Sequence, residues 1–543
     1  MESMESILAD RTPSPLLIAS NRLPILLRLG GDGELHHEAG SGGLVRAMEP
    51  VLRRTGGTWV GWPGVLDGDV ADLKASVERE SVTHAYEVEP VALTARERRD
   101  FYLGFSNEIL WPLFHCQLDR CRFEPRYWEA YRRVNRKFAE GIGRVARPGQ
   151  FVWVHDYHLM AVGEELRLAG CDNRTGFFLH IPFPPPDIFE QLPWAHSVLH
   201  SLLRFDHVGF QTARDKRNFL ECVRVLRPHE YRAYGDLVLS RWRPEHPTRV
   251  GVHPISIDTA LFHDAAHTDL VRARAEALRD KIGCETVLLG VDRLDYTKGI
   301  PEKLRGLYRA LEKYPGLQGR VTLVQLVIPS RVSIPQYSHM KTRIERLVGR
   351  INGRFTRGGW SPILYQFGSW SHTELLAAYR AADVALVTSL KDGMNLVSKE
   401  YVAASVERGT LVLSEFAGSV DELRCGALTV NPHHVDAMAD AIHDAVNLLP
   451  EERRERLRAM QARVLEHDIH AWVRGFLERS ARDPESEGEA RRLAGAWLAS
   501  SASGPALLPG SARHGRPSGR PRPRSRPAPE TLPARGPSTS HPS

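Results

Sequence analysis

Two polar segments of the chain each follow an apolar run that is typical of a buried strand. Residues 290–299 read Gly-Val-Asp-Arg-Leu-Asp-Tyr-Thr-Lys-Gly and follow Val287-Leu288-Leu289. Residues 391–400 read Lys-Asp-Gly-Met-Asn-Leu-Val-Ser-Lys-Glu and follow Val384-Ala385-Leu386-Val387. In open α/β sheets, ligands bind outside the carboxyl ends of the strands. Both segments are therefore expected at a ligand-binding edge.

The side chains of these segments suit a ligand that combines a diphosphate with a sugar. Arg293 and Lys298 supply two cations for the diphosphate, and Asp392 and Glu400 supply two carboxylates for sugar hydroxyls. The run Gly393-Met394-Asn395 is typical of a helix start, whose first backbone amides can bind an anion. Together these residues predict a nucleotide-sugar enzyme.

Further cations follow other strand-like runs. Arg331 comes after residues 324–328, and three cations at neighbouring strand ends would repel one another unless an anion lay among them. Ion pairs with local acids are the alternative. Arg22 follows residues 16–19, and Gly42-Gly43 before a helix would let backbone amides approach an anion. We expect a phosphate there, with a simple turn as the alternative.

Three histidines lie at predicted strand ends. His155-Asp156-Tyr157-His158 follows residues 151–154, and its two histidines and one carboxylate suggest a metal site, although this spacing in a loop matches no known ligand frame. We expect no metal, and instead a hydrogen bond from a substrate hydroxyl to Asp156. His180 follows residues 177–179 and precedes a proline-rich loop, so it is either a positioned polar group or a structural histidine.

Aromatic residues are dense between Tyr102 and His115, and Trp59-Val60-Gly61-Trp62 forms a second patch. Such density marks a hydrophobic core more often than a ligand site. Sugar rings also stack on aromatic faces, so both patches stay candidates for a sugar pocket.

The positive charge of the chain is concentrated at one end. Lys and Arg number 72 against 66 Asp and Glu, a formal net charge of +6. Residues 505–543 contain seven arginines and one acidic residue, Glu530, which accounts for the whole excess. The rest of the chain is neutral, so we expect no nucleic-acid partner.

The six cysteines and the hydropathy pattern exclude further classes. The cysteines are scattered without a Cys-x-x-Cys pair, which favours free thiols over a metal site. No apolar stretch reaches 18 residues, and no signal-peptide pattern follows Met1. We expect a cytoplasmic chain without a membrane partner.

Strand-like and helix-like segments alternate, which predicts two doubly wound α/β domains. His253-Pro254 is typical of a hinge between them, because the residue before a proline is pushed out of helix. The expected divisions are a flexible N-terminus over 1–14, an N-terminal Rossmann-like domain over 15–254, a C-terminal Rossmann-like domain with a closing helix over 255–482, and a disordered Pro/Arg/Ser-rich tail over 483–543.

Seven motifs, taken in chain order, resemble those of the trehalose-6-phosphate synthases of glycosyltransferase family 20. They are Ser-Asn-Arg-Leu-Pro (20–24), Gly-Gly-Leu (42–44), Trp-Val-Gly-Trp-Pro-Gly (59–64), Phe-Ser-Asn-Glu-Ile-Leu-Trp-Pro (105–112), His-Asp-Tyr-His-Leu (155–159), Arg-Leu-Asp-Tyr-Thr-Lys-Gly (293–299) and Asp-Gly-Met-Asn-Leu-Val (392–397). The resemblance covers about residues 15–480. It implies the GT-B fold, in which two Rossmann-like doubly wound domains face a central cleft.

The resemblance implies a retaining transfer of glucose from a nucleoside diphosphate glucose, usually UDP-glucose, to glucose 6-phosphate, which gives α,α-trehalose 6-phosphate. It implies no cofactor, because the nucleotide sugar is a substrate. A separate trehalose-phosphate phosphatase would complete the pathway. A homo-oligomer is left open.

The resemblance also assigns roles to individual residues. The acceptor-binding positions are Arg22, Trp62, Tyr102, Trp111, Asp156 and Arg331, and the position of Ile181 joins Trp111 in anomer choice. The donor-binding positions are Gly42, Gly43, Arg293, Lys298, Trp370, Leu396, Val397, Ser398, Lys399 and Glu400. The catalytic positions are His180, Asp392, Arg293 and Lys298.

The chain departs from the family pattern at two positions, of which the second bears on the nucleotide base. Residues 184–186 are Pro-Pro-Pro where many members have a serine, and Trp370 stands where a phenylalanine backbone commonly meets the nucleotide base. The choice among uridine, guanosine and adenosine therefore stays open. The alternatives to the implied reaction are a sister enzyme with another acceptor and a silent regulator that binds sugar phosphates, which should have lost its charged site residues.

Overall fold

Runs of Val, Leu and Ile form the strands of two large sheets, as the sequence predicts. The computed structural model describes residues 16–29, 35–39, 43–67, 72–76, 86–243, 246–331, 334–481, 488 and 491–497. Gly42, the predicted N-terminal segment and nearly all of the predicted tail lie outside these residues. Both sheets belong to one compact unit that extends to Gly495.

The strands alternate with helices along most of the chain. They are β1 (Leu16–Arg22), β2 (Ile25–Leu29), β3 (Leu35–Ala39), β4 (Gly57–Trp62), β5 (Glu87–Pro90), β6 (Val152–His155), β7 (Thr175–Phe178), β8 (His207–Phe210), β9 (Tyr231–Tyr234), β10 (Leu237–Ser240), β11 (Thr248–Val252), β12 (Thr286–Arg293), β13 (Val321–Ile328), β14 (Ile363–Phe367), β15 (Val384–Val387), β16 (Thr410–Ser414) and β17 (Leu428–Val430).

The first sheet has the strand order β5-β4-β1-β6-β7-β8-β11-β10-β9 among the described residues. Its strands run parallel except for β10 and β9, which form an antiparallel edge. The chain leaves β1 toward β4 on one side and reaches β6 on the other, which creates a switch point at the carboxyl end of β1. Arg22 ends β1 and Asp156 follows β6, so the topology brings these two polar residues together.

The second sheet is entirely parallel among the described residues, in the order β14-β13-β12-β15-β16-β17. Its four central strands, β13, β12, β15 and β16, are almost wholly buried, as expected for a parallel sheet that helices cover on both faces. The switch point lies between β12 and β15. Arg293 ends β12 and Asp392 lies in the loop after β15, so the sheet places both at this point.

Helices pack on both faces of the two sheets. They are α1 (Gly43–Thr55), α2 (Ala95–Glu97), α3 (Trp111–Phe114), α4 (Pro125–Val145), α5 (Val162–Leu168), α6 (Pro186–Phe189), α7 (Ala195–Leu202), α8 (Ala213–Leu226), α9 (Thr259–Ala266), α10 (Asp269–Ile282), α11 (Ile300–Lys313), α12 (Pro335–Phe355), α13 (His372–Ala381), α14 (Leu396–Ala404), α15 (Val420–Leu423), α16 (Val435–Asn447), α17 (Pro450–Glu466) and α18 (Ile469–Ser480). None of these is both long and apolar enough to cross a membrane.

A π-helix over Arg98–Leu110 joins α2 to α3. Its wider turn is visible at its end, where the Trp111 amide donates to the Ser106 carbonyl, five residues back. π-Helical turns are rare and occur often at functional sites. This π-helix contains Tyr102, one of the residues of the site described below.

The last helix, α18, packs on the first sheet. The Phe476 ring stacks on Trp153 of β6 at 4.2 Å, and the Trp472 indole donates to the His253 carbonyl at 3.0 Å. The sequence predicts a closing helix but groups it with the C-terminal domain, and its packing on the N-terminal sheet is a structural finding. The predicted domain boundaries themselves stay a prediction.

Candidate active site

The carboxyl ends of the two sheets face each other across close contacts. Gly393, in the loop after β15, lies against His180, in the loop after β7; a Cβ at Gly393 would be 2.3 Å from the His180 carbonyl oxygen. Arg331, after β13, donates to the Tyr157 hydroxyl at 3.1 Å. The polar residues that follow the strands of both sheets therefore line one cleft.

The first group of cleft residues combines arginines with aromatic rings, and we call it the arginine–aromatic cluster (Arg22, Trp62, Tyr102, Trp111 and Arg331). The Arg22 guanidinium lies 4.2 Å from the Trp62 ring centroid and 5.6 Å from that of Tyr102. Among the described residues, no carboxylate pairs with Arg22. Burial raises the pKa of Tyr102, but the charges of Arg331 and Arg22 outweigh burial and lower it. The cluster thus holds uncompensated positive charge.

Arg331 is fixed from several directions. Its guanidinium donates to Asp295 at 3.3 Å and to Tyr337 at 2.8 Å, and it lies 4.2 Å from the Trp111 ring centroid. Its backbone has a φ of 49°, a left-handed conformation that is uncommon for a residue with a side chain. Such strain persists only where the surroundings hold it, and it is concentrated at functional sites.

Asp295 ties this arginine to the wall of the cleft. Its buried carboxylate accepts from Trp111 at 3.4 Å and from the Thr297 amide at 3.0 Å, in addition to Arg331. Burial raises the pKa of Asp295, but the charges of Arg331 and Arg293 outweigh burial and lower it. The residue is therefore an anion that positions both Arg331 and Trp111.

Asp156 also has a left-handed backbone, with a φ of 74°. Its carboxylate accepts from the His180 amide at 3.2 Å. Burial raises the pKa of Asp156 to about 6, against partial opposition from hydrogen bonds to the Tyr157 and His180 amides. A carboxyl group with this pKa changes its charge near neutral pH.

His180 lies in the loop after β7, against Gly393 of the loop after β15. One ring nitrogen is 3.2 Å from His155, and burial lowers the pKa of His180 to about 3. The imidazole is therefore neutral at physiological pH. It can donate or accept a hydrogen bond, but it is not a source of positive charge.

The second group, which we call the lysine–aspartate cluster (Lys298, Ser389, Asp392 and Asn395), is built around one carboxylate. Lys298 Nζ lies 2.6 Å from Asp392 Oδ2, and the side chains of Ser389 and Asn395 each donate to the same oxygen at 3.1 Å. Burial raises the pKa of Asp392, but Lys298 outweighs burial and lowers it. Asp392 is therefore ionised and held in place.

The same asparagine begins α14. Asn395, with a φ of 117°, accepts from the Ser398 amide through its side chain and caps the helix. Leu396 and Val397, in the first turn, are half-buried, and Ser398 is buried and donates to the Asn395 carbonyl. The predicted helix start is confirmed, and its free amides are available for an anion.

Lys399 and Glu400 follow in this helix but point their side chains to protein partners. The Lys399 ammonium is buried, 2.9 Å from the Ile255 carbonyl and 2.6 Å from Glu422. Glu400 accepts from the Tyr379 hydroxyl at 2.7 Å. A ligand contact at Lys399 would therefore involve its backbone, because the ammonium is already coordinated.

The remaining predicted residues have differing surroundings. Arg293 is exposed and lies 5.9 Å from the Trp111 ring centroid, and no hydrogen bond or ion pair joins its side chain to another described residue. Trp370 is half-buried and donates to Gln366 at 2.9 Å. Gly43 begins α1, whereas its neighbour Gly42 lies outside the described residues.

Three residues of the site were missed by sequence reasoning about roles: Asp295, Tyr157 and Tyr337. Asp295 and Tyr157 lie inside two of the motifs, so their sequence positions were the available signal. Tyr337 carries no signal, since only the fold brings α12 beside Arg331. No group of His, Cys, Asp and Glu able to hold a metal ion occurs in the described part of the chain.

Two largely parallel α/β sheets whose carboxyl ends meet at a cleft lined by cationic side chains form the GT-B architecture that the resemblance implies. Glycosyltransferase family 20 matches residues 14–482. The chain belongs to this family and is a hexosyltransferase.

Relatives of known name agree. The trehalose-6-phosphate synthase of Mycolicibacterium gilvum is 43% identical over 486 residues, which cover 87% of this chain and 94% of that protein. The enzyme of that name from Mycolicibacterium smegmatis is 41% identical over 479 residues, covering 87% and 93%.

Solved structures show the same architecture. An α,α-trehalose-phosphate synthase (UDP-forming) from Burkholderia xenovorans in complex with glucose-6-phosphate has a TM-score of 0.76 and 32% identity, covering 86% of this chain and 100% of that one. A trehalose-6-phosphate structure from E. coli bound with UDP-2-fluoro glucose has a TM-score of 0.76 and 33% identity, covering 86% and 99%.

Proposed function

We propose that this chain transfers glucose from UDP-glucose to glucose 6-phosphate with retention of anomeric configuration and forms α,α-trehalose 6-phosphate. The observation that carries the proposal is that one cleft contains four cationic side chains, those of Arg22, Arg331, Arg293 and Lys298. The reaction needs two anionic subsites, one for the acceptor phosphate and one for the donor diphosphate. The ligands named for the Burkholderia xenovorans and E. coli proteins are of these two kinds.

The arginine–aromatic cluster suits the acceptor. Arg22 and Arg331 would bind the phosphate of glucose 6-phosphate, and Asp156 would accept hydrogen bonds from sugar hydroxyls. The rings of Trp62, Tyr102 and Trp111 would form the walls of the sugar pocket. This arrangement is supported by Arg22, which has a full charge and no carboxylate partner among the described residues.

The lysine–aspartate cluster and its neighbours suit the donor. Arg293, Lys298, the first amides of α14 and the glycine pair at 42–43 would bind the diphosphate. His180 and Asp392 would contact the transferred glucose. Glu400 would reach the ribose, and the region of Trp370 the base.

The chemistry then requires one bond to form as another breaks. The bond between the glucose C1 and the diphosphate oxygen breaks, and the electron pair stays on the leaving oxygen, where Arg293 and Lys298 stabilise the negative charge. The anomeric hydroxyl oxygen of the acceptor bonds to C1 on the same face. Its proton passes to the leaving phosphate oxygen. Retention follows because entry and departure share one face.

No cofactor or metal enters this proposal, since the nucleotide sugar is a substrate. Because the product carries a phosphate, a separate phosphatase would be needed to release trehalose. A cytoplasmic location fits both substrates.

A product assay tests the proposal. Purified protein is incubated with glucose 6-phosphate and, in parallel, UDP-, GDP- or ADP-glucose, and the product is examined by NMR. Release of UDP with a non-reducing α,α-linked disaccharide phosphate is expected. Turnover with glycerol 3-phosphate but not glucose 6-phosphate would transfer the function to another acceptor, and silence with every acceptor would indicate a sugar-phosphate-binding regulator.

A further inference from the structure

A cavity lies near the amino ends of strands in the first sheet, at the opposite edge from the candidate active site. It has a volume of about 520 Å³ and is bordered by the amino ends of β8 and β11, by the turn between β9 and β10, and by α18. The candidate active site lies at the carboxyl ends of the same sheet. A cavity of this volume is large enough for a small organic ligand.

The charges that line this cavity are unbalanced. Arg249 of β11 and Arg479 of α18 both border it, and neither side chain has an ion pair or hydrogen bond with another described residue. The carboxylate of Asp236, which also lines the cavity, is in an ion pair with Lys216. Two guanidinium groups facing one cavity attract an anion, and their planar donors match a phosphate.

A buried pair of histidines, His207 and His253, lies beside the same cavity. His207 is 1% exposed, its Nε2 lies 2.9 Å from Nε2 of His253, and its Nδ1 has no hydrogen-bond partner. Gly251 provides the space for this pair, since a Cβ there would lie 2.4 Å from His253 Nε2.

We infer that this cavity binds a phosphate group, either free or as a small polar ester, between Arg249 and Arg479. The volume exceeds what a phosphate alone requires. Tyr234 and Asp236 line the remainder of the cavity and offer hydrogen-bonding groups to the polar part of an ester.

Binding at this position would connect two elements that are far apart in sequence. Arg249 belongs to the first sheet. Arg479 is near the end of α18, which follows all strands of the second sheet in the chain and packs on the first sheet. A phosphate bound by both arginines would tie the end of α18 to β11. Slower local opening of these two segments is the expected consequence.

Hydrogen exchange of the full chain tests this inference without any dependence on turnover. Exchange is followed by mass spectrometry in inorganic phosphate, in glucose 6-phosphate, and in sodium chloride of equal ionic strength. Both phosphate compounds are expected to slow exchange in peptides covering 248–252 and 475–481, and a response to only one of them would identify the source of the phosphate group. If these peptides of the wild-type chain exchange as fast in both phosphate compounds as in sodium chloride, the inference is overturned.

Matched variants locate the ligand. Arg249→Gln and Arg479→Gln are each expected to raise the phosphate concentration that gives half-maximal protection about tenfold or more, as for loss of a charge-assisted hydrogen bond. Arg474→Gln, on the same helix but outside the cavity lining, should bind like the wild type. Protection that persists unchanged in both cavity variants would refute the assignment. Peptides at the candidate active site report separately, so failure of the proposed transferase function would not affect this result.

Discussion

The two clusters of the cleft hold their cations in different ways. In the arginine–aromatic cluster, Arg22 lies on the rings of Trp62 and Tyr102 without a carboxylate partner among the described residues. In the lysine–aspartate cluster, Lys298 is bound to the ionised Asp392 at 2.6 Å. An aromatic face orients a cation and leaves its charge available, whereas a carboxylate largely neutralises it.

Arg331 combines both arrangements. It lies over Trp111 and also pairs with the buried Asp295. We expect cations that are paired with buried carboxylates to contribute to stability as well as to ligand binding, and unpaired cations to contribute to ligand binding alone. Substitutions can separate these two kinds of cation by comparing their effects on stability and on catalysis.

Replacing Arg331 by Met is expected to have the largest effect on stability. The Arg331 side chain is only 9% exposed, and its loss leaves the Asp295 carboxylate buried without its cation. Removing one partner of a buried ion pair typically costs about 3–5 kcal/mol. The free energy of unfolding, measured with urea, should fall by this amount. Arg22→Met is the matched control, and equal losses in the two variants would remove the distinction between paired and unpaired cations.

Replacing Lys298 by Met should lower kcat, and it should also lower the free energy of unfolding, because Asp392 loses its paired cation. If Lys298 stabilises the leaving diphosphate, loss of that single charged donor is expected to lower kcat about 10²- to 10³-fold. Steady-state kinetics with saturating substrates measures this change. The exposed Lys281, in the last turn of α10, provides the control Lys281→Met, which should behave like the wild type. A kcat within a few-fold of wild type in Lys298→Met would exclude the role.

Replacing Arg22 by Gln should affect acceptor binding and little else. Because no buried carboxylate loses its partner, the free energy of unfolding should change by less than about 1 kcal/mol. Loss of a charge-assisted hydrogen bond to the acceptor phosphate should raise the KM for glucose 6-phosphate about 10- to 100-fold. The KM for the nucleotide sugar should stay the same. A stability loss as large as that of Arg331→Met would show that Arg22 is a structural cation.

The sequence predicted the fold well where burial dominates the pattern. Strands β12, β13 and β16 are continuous apolar runs, and the structure confirms them. Strands β9 and β14 were not predicted, because their partly exposed residues give a weak signal over only four or five positions. The π-helix could not be predicted either, since tertiary packing rather than residue pattern selects its wider hydrogen bonding.

The same division holds within the site. The positions of Arg22, Arg293 and Asp392 follow from one rule, that polar residues after parallel strands meet at one edge of the sheet. The direction of the Lys399 side chain does not follow, because it depends on which helix face meets the chain near Ile255. The Arg331–Asp295 pair was also beyond reach, since 36 residues separate its members in sequence.

The smallest expected effect concerns pH and Asp156. Its folded pKa of about 6 lies above the ordinary value of 3.8, so ionisation is disfavoured in the folded state. This group therefore contributes stability that is complete below about pH 4 and is lost as the pH rises through 6. Acceptor binding through the Asp156 carboxylate has the opposite pH dependence, because the ionised form accepts hydrogen bonds from sugar hydroxyls with both of its oxygens.

For the wild type, kcat/KM for glucose 6-phosphate should therefore fall about tenfold for each pH unit below 6. The substrate phosphate itself titrates near pH 6, about the same value. Asp156→Asn retains the size of the side chain and the titration of the substrate, so the ratio of wild type to variant isolates the carboxylate. We expect this ratio to decrease with acidification and to level off above pH 7. A ratio that is constant from pH 5 to 7.5 would show that Asp156 does not bind the acceptor as an anion. Acceptor binding in the proposed pocket would then have to depend on the arginines and the aromatic rings.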